Sequence, residues 1–270
     1  MASCKNRSYF INLRVVLLLL IYDCRLHAAV LTYDGCMSDS ANSYQVGGWC
    51  FLSYRESTWR PNSLKLVDAQ TKCGPKGNLA VGVTYKALST FKTKFTSASL
   101  LYIWIALNRN VSTTTWEWKT LLPNGQYAKF PAIMANTAWG SSEPGNGPTE
   151  NAAWMEYNLG VTDVSADMTG FSNGAAPMAI ICQFAPLTWN YSQRGHGLFT
   201  NAAYRIAQTN GIKPACILQC HLSVFCISLA FNPTTSDCQI YAVSPEDPKF
   251  AGNVTVNSAY DWYIRDGMEY

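Results

Sequence analysis

The chain has 270 residues, 48% of them hydrophobic and 14% charged. That mixture excludes intrinsic disorder, which needs few apolar residues and a high net charge, and the length allows one large or two modest domains with real cores. The formal net charge of +3 lies in residues 1–29, where Lys5, Arg7, Arg14 and Arg25 face only Asp23. The remainder is neutral and carries no electrostatic footprint for nucleic acid or an anionic membrane.

Residues 1–29 read as a secretory signal. Lys5, Arg7 and Arg14 precede the apolar run from Val15 to Tyr22, and Ala28-Ala29 supply small residues beyond it. The run is far shorter than the ~20 residues a membrane-spanning helix needs, so the competing reading is an uncleaved buried helix or strand. No later stretch is long and apolar enough to span a bilayer. The expected location is therefore secreted and extracellular. After Pro61-Asn62-Ser63, Leu66, Ala69 and Cys73 recur at helical spacing, with Gly74-Pro75 as a stop. Thr84 is placed to cap a second helix carrying Leu88, Phe91 and Phe95. Strand-like runs follow at Leu101 to Leu107, Thr113 to Trp118, Ala152 to Tyr157 and Met178 to Phe184. Between them lies the Gly/Pro/Asn-rich segment from Ala132 to Asn151, and long ordered loops on a small sheet tend to be functional. Pro186 to Gly197, polar and punctuated by glycine, reads as a linker. Beyond it, a short helix from Lys213-Pro214 places Cys216 and Cys220 one turn apart. A hairpin, Ile227 to Phe231 and Gln239 to Val243, surrounds Asn232-Pro233-Thr234-Thr235, and the last strand-like run is Tyr260 to Ile264.

Beyond Cys4 and Cys24 in the leader, eight cysteines remain: Cys36, Cys50, Cys73, Cys182, Cys216, Cys220, Cys226 and Cys238. An even set in an oxidising compartment suggests disulfides before metal ligands; a zinc knuckle using His221 is the competing chemistry. Acceptor sequons at Asn110, Asn190 and Asn253 fit the same compartment. Catalysis is not indicated. Outside the leader the histidines are His196 and His221, and HExxH and phosphate-loop motifs are absent.

The order Gly48-Trp49-Cys50, Ala69 to Cys73, Gly77-Asn78-Leu79-Ala80, Trp104-Ile105-Ala106-Leu107, Trp116-Glu117-Trp118, Trp139, Glu143-Pro144, Glu150 and Cys182-Gln183-Phe184 resembles a C-type lectin domain. The resemblance runs over roughly residues 33–184. It implies an α+β fold of two helices, small antiparallel sheets and long loops, within a domain spanning 30–184. It also implies disulfides Cys36–Cys50 and Cys73–Cys182, with Ala152 standing where the family's inner pair has a cysteine, and a cis Pro144. Sugar-binding relatives hold Ca²⁺ through an EPN or QPD triplet, a following Glu and a WND-like triplet. Here Glu143-Pro144-Gly145 and Ser165-Ala166-Asp167 each lack an amide side chain. The implied metal set is Glu143, Glu150 and Asp167, with Asn146 filling in, and the expected Ca²⁺ binding is weak or absent because Ca²⁺ takes six to eight oxygens. The implied glycan-binding residues are Glu143, Asn146, Glu150 and Asp167, with Trp154 and Trp139 as stacking candidates.

The spacing Cys216-x3-Cys220-x5-Cys226, with Phe231 and Cys238 beyond, resembles a PAN/apple domain, smaller and also α+β, over roughly 198–266 within a domain spanning 198–270. That resemblance implies Cys216–Cys238 and Cys220–Cys226. Two functional classes follow: a secreted lectin for a glycan or glycoprotein, or a calcium-independent interaction module whose PAN-like part docks a protein or a second copy. The two parts are expected to fold independently about a linker at 185–197.

Overall fold

The protein is described from a computed structural model. The described residues lie between Leu31 and Asp266, except 47, 82–101, 122–124, 126, 133–138, 157–158, 169–175, 187–189, 224–225, 247–249 and 251. The expected signal at 1–29, the helix expected around Leu88 and the start of the run expected from Leu101 therefore lie outside the described residues. Leu31–Tyr270 forms one compact unit.

Thr32 caps a short helix α1, Tyr33–Ser38, by accepting the Gly35 N–H on its hydroxyl at 3.1 Å. Strands β1 (Ser43–Val46) and β2 (Trp49–Tyr54) form a hairpin, and Cys36 on α1 is bonded to Cys50 on β2. The helix expected over 66–73 is only one turn, α2 (Leu66–Ala69). Beyond it the chain continues in tight turns, Thr71 N–H to Asp68 O and Lys72 N–H to Ala69 O, each 3.1 Å. There the Gln70 side chain leaves the helix to hydrogen-bond Lys119 O at 2.9 Å and Leu121 N–H at 3.2 Å. Periodicity marked the buried positions Leu66, Ala69 and Cys73 but not the length, which these cross-chain bonds decide.

The expected strand runs form β4 (Tyr102–Asn110), β5 (Thr115–Leu121), β7 (Ala152–Glu156) and β9 (Met178–Phe184). With β3 (Asn78–Leu79), β6 (Tyr127–Pro131) and β8 (Gly160–Val164) they complete a nine-stranded sheet. Its main path is β1-β2-β9-β4-β5-β6; β3 also flanks β9, and β7 joins β4 to β8. Strand β9 is buried along its whole length, as a central strand covered on both faces requires. It runs parallel to β4 and antiparallel to β2 and β3. Cys182 on β9 is bonded to Cys73 beyond α2, which anchors the helical side to the sheet.

Gly77 fits against that anchor only because it has no side chain. A Cβ there would lie 2.3 Å from Phe184 Cε1 and 2.9 Å from Cys73 O. Gly77→Ala should therefore lower stability by roughly 1–3 kcal/mol through overpacking, read as a lower denaturant midpoint at unchanged slope. An unchanged midpoint would show that the Phe184 ring can step aside at no cost.

The stretch read as a linker is not one. Tyr191–His196 forms β10, the edge of a second, five-stranded antiparallel sheet ordered β10-β16-β13-β14-β12. Its partners are β12 (Arg205–Asn210), β13 (Ser228–Phe231), β14 (Asp237–Tyr241) and β16 (Asp261–Arg265). Gly195, which read as loop punctuation, sits at φ 149° where the β10–β16 register shifts, so it serves an irregularity in a paired strand. Helix α3 (Lys213–Leu222), with Pro214 in its first turn, lays Cys216 and Cys220 onto this sheet. There they are bonded to Cys238 and Cys226. A two-stranded ribbon, β11 (Leu198–Phe199) with β15 (Val254–Thr255), completes the strands.

Nor is the expected boundary bare of contacts. Ile227 and Ala242 are buried in the same core as Trp104, Trp118 and Trp154, and Tyr204 and Ile206 pack against it. Among the described residues no helix is long and apolar enough to cross a membrane.

Candidate functional site

The long segment after Trp139 is built over the end of the first sheet by groups from β4, β5 and β8. Strand β8 is read from its register with β7, Ala153 opposite Asp163 and Ala152 opposite Val164. That register buries Asp163 to 4% exposure beneath the loop. A carboxylate so buried needs partners, and it has them: Oδ1 accepts the Gly145 N–H at 2.9 Å and Oδ2 the Asn146 N–H at 2.7 Å. Glu150 accepts the Gly147 N–H. Glu143, preceding the cis bond to Pro144, also accepts the Gly145 N–H, at 3.2 Å. From the other side Nη1 of Arg109 donates to Asn146 O at 3.2 Å and Gly147 O at 3.0 Å. Asn146 is in the left-handed region at φ 56°, its Nδ2 donating to Pro144 O and its Oδ1 receiving Trp116 Nε1.

Of the candidate residues, Glu143, Asn146 and Glu150 therefore meet on one loop. Asp167 lies in the exposed turn after β8, where its carboxylate takes the Ser165 hydroxyl. Asp163, which sequence reasoning passed over, is the acid to which the loop amides run. One signal could have found it: an aspartate inside the apolar strand Val161-Thr162-Asp163-Val164 is rarely buried without a purpose. Trp154 is no stacking platform, because β7 is covered on both faces. Its ring is 1% exposed and packs between Tyr102 (4.4 Å) and Trp104 (5.3 Å). Trp139 stands edge-on to Trp116 at 5.0 Å and is half-buried. The sequon asparagine Asn190 is exposed, whereas Asn110 and Asn253 are half-buried.

Both oxygens of Asp163 and one of Glu150 already accept backbone N–H groups, and Asp167 is turned to Ser165. Among the described residues no three His, Cys, Asp or Glu side chains are grouped so as to hold a metal ion.

Burial pushes the Glu143 carboxyl up from its ordinary 4.5 to about 7, a hydrogen bond to Asp163 adds to the rise, and the Gly145 amide opposes it. Unfolded, Glu143 ionises near 4.5; folded, it keeps its proton to about 7. Between those values the native state binds more protons, so the stability contribution present at low pH is lost as pH rises toward 7. Glu143→Gln, which imitates the neutral acid, should flatten that fall. Denaturant titrations from about pH 4.5 to about pH 7.5 read it directly, and a variant profile parallel to the parent would assign the proton to another group.

No protein-family model matches the chain, and no curated protein matches it in sequence. Among solved structures, human lithostathine aligns at 15% identity over 59% of this chain and 99% of its own, with a TM-score of 0.39. The carbohydrate-recognition domain of the mouse scavenger receptor C-type lectin aligns at 17% identity over 54% and 97%, with a TM-score of 0.38. The C-type lectin CEL-I from Cucumaria echinata aligns at 13% over 53% and 95%, with a TM-score of 0.34. The fold is α+β, with a long loop standing on a sheet to which Cys73 is tied through Cys182.

Proposed function

We propose that this chain is a secreted, C-type lectin-like recognition protein that binds a glycan or glycoprotein through the loop Gly140–Asn151 without relying on Ca²⁺. The observation that carries the reading is the support beneath the loop. An exposed turn at Gly145 and Asn146 is held from below by the buried Asp163 carboxylate and from the side by Arg109. A loop so fixed pays little ordering entropy when it meets a ligand. Recognition rather than catalysis suits it, since its acids are engaged with backbone amides rather than aimed at an open cavity.

A glycan array probed with the full chain in Ca²⁺ and again in chelator tests the proposal. Signals that persist in chelator and fall in Asn146→Ala support it. Signals that vanish in chelator would reinstate a metal-dependent site. A second reading, protein docking with the PAN/apple-like part taking the partner, draws on the same engaged carboxylates, which leave few groups for sugar hydroxyls. A blank array together with concentration-dependent self-association in sedimentation would favour it.

A further inference from the structure

We propose that Arg109 takes the place of a bound cation, locking the loop in its working shape by joining two of its carbonyls to the β-sheet. The inference rests on the reading of this loop as the recognition surface, but its test does not depend on any ligand.

A loop that stands on the Asp163 and Glu150 carboxylates gathers negative charge, and its backbone must satisfy both N–H and C=O groups. The acids deal with the first need: Gly145, Asn146 and Gly147 all donate their N–H groups to carboxylates. The loop also presents two carbonyls: Gly147 O takes the Glu150 N–H at 3.1 Å, while Asn146 O still requires a donor, which a carboxylate cannot be. Arg109 supplies it with one nitrogen reaching both oxygens, at 3.2 and 3.0 Å. The same residue is anchored in the sheet, where its N–H donates to Asn151 O at 3.0 Å, at the end of the loop. Its Nε is buried without a hydrogen-bond partner among the described residues, so the guanidinium is placed by packing and by these two carbonyls. The result has the two features a divalent ion would bring, positive charge beside clustered acids and simultaneous contact with several loop oxygens. Unlike an ion, it cannot be removed by a chelator.

Residue-resolved amide exchange on the full chain tests this at Gly145, Asn146 and Gly147. In the parent protein exchange at these amides should be the same, within about twofold, in millimolar CaCl₂ and in excess EDTA. In Arg109→Met, which keeps the apolar stem, they should exchange on the order of tenfold faster or more, because two charge-assisted bonds are lost. Protection across the β4–β5 hairpin should be retained. Should Arg109→Met lose that protection as well, Arg109→Lys becomes the test: it keeps the charge but not the fixed planar fork, so intermediate rates are expected. Loop exchange unchanged in Arg109→Met, or in Arg109→Lys where that variant is needed, would overturn the proposal. So would exchange in the parent that EDTA accelerates. Glycan binding is read separately. A blank array with these exchange results would leave the lock standing and reject the recognition reading instead.

Discussion

Removing the Cys73–Cys182 bridge should cost the protein roughly 2–5 kcal/mol and should weaken both sheets together. The two cysteines are fully buried and 109 residues apart in sequence, so reduction frees a long loop in the unfolded chain. On the chain-entropy estimate a loop of that length is worth close to 5 kcal/mol. Strand β9, which carries Cys182, is bonded to β2, β3 and β4, so the loss falls on the middle of the first sheet. The double variant Cys73→Ala/Cys182→Ala is the cleaner test, since it leaves neither a buried thiol nor a buried hydroxyl. The second sheet should follow because Ile227 and Ala242 are built into the first core. Denaturant unfolding followed by amide protection in β4 and in β14 should show one shared transition, displaced to lower denaturant. Two transitions, with that of β14 unmoved, would restore the independence that the cysteine grouping suggests.

Trp104→Ala should be nearly as damaging, at about 3–5 kcal/mol. The indole is fully buried, touches Trp154 at 5.3 Å between ring centres, and donates Nε1–H to Leu64 O at 2.8 Å. Truncation removes the largest single block from the centre of the core and strands a buried carbonyl. For a unit of this size each kcal/mol moves the melting temperature by about 2–4 °C, so a fall of about 10 °C is expected. Trp104→Phe separates the contributions, because it keeps most of the volume and loses only the hydrogen bond, about 1 kcal/mol. An alanine variant that melts within a degree or two of the parent would mean that the surrounding strands collapse into the space.

Glu143 and Glu150 were singled out only through the resemblance, as the acid of the Glu143-Pro144 pair and the acid that follows it, and the structure brings both onto one loop. Asp163 was not singled out, although it lies only four residues from Asp167. Both are acids near the end of the same run, and sequence spacing alone does not say which one turns under the loop. Arg109 offered less still. It ends an apolar run, where a charged residue ordinarily marks the way out to solvent, and its partners lie 37 and 38 residues away. The reading of Tyr191–His196 as a linker failed for a related reason: an edge strand with polar side chains and a glycine at its irregularity has the composition of a loop.

The α+β class entered through the family resemblance; by itself the sequence determined the positions of β4, β5, β7 and β9, the helix at Lys213 and the division of the cysteines into two groups. Those features follow from local rules, since runs of apolar and β-branched residues, a proline in a first helical turn and paired thiols each act over a few neighbours. Tertiary structure alone decided that α2 stops after one turn, that Trp154 is core rather than surface, that the second sheet leans on the first core, and that Asp163 and Arg109 hold the loop. Each of these depends on strand register and on which faces are covered. A period of two assigns side chains to alternate faces of a strand, but only the packing of the whole chain says what lies against each face.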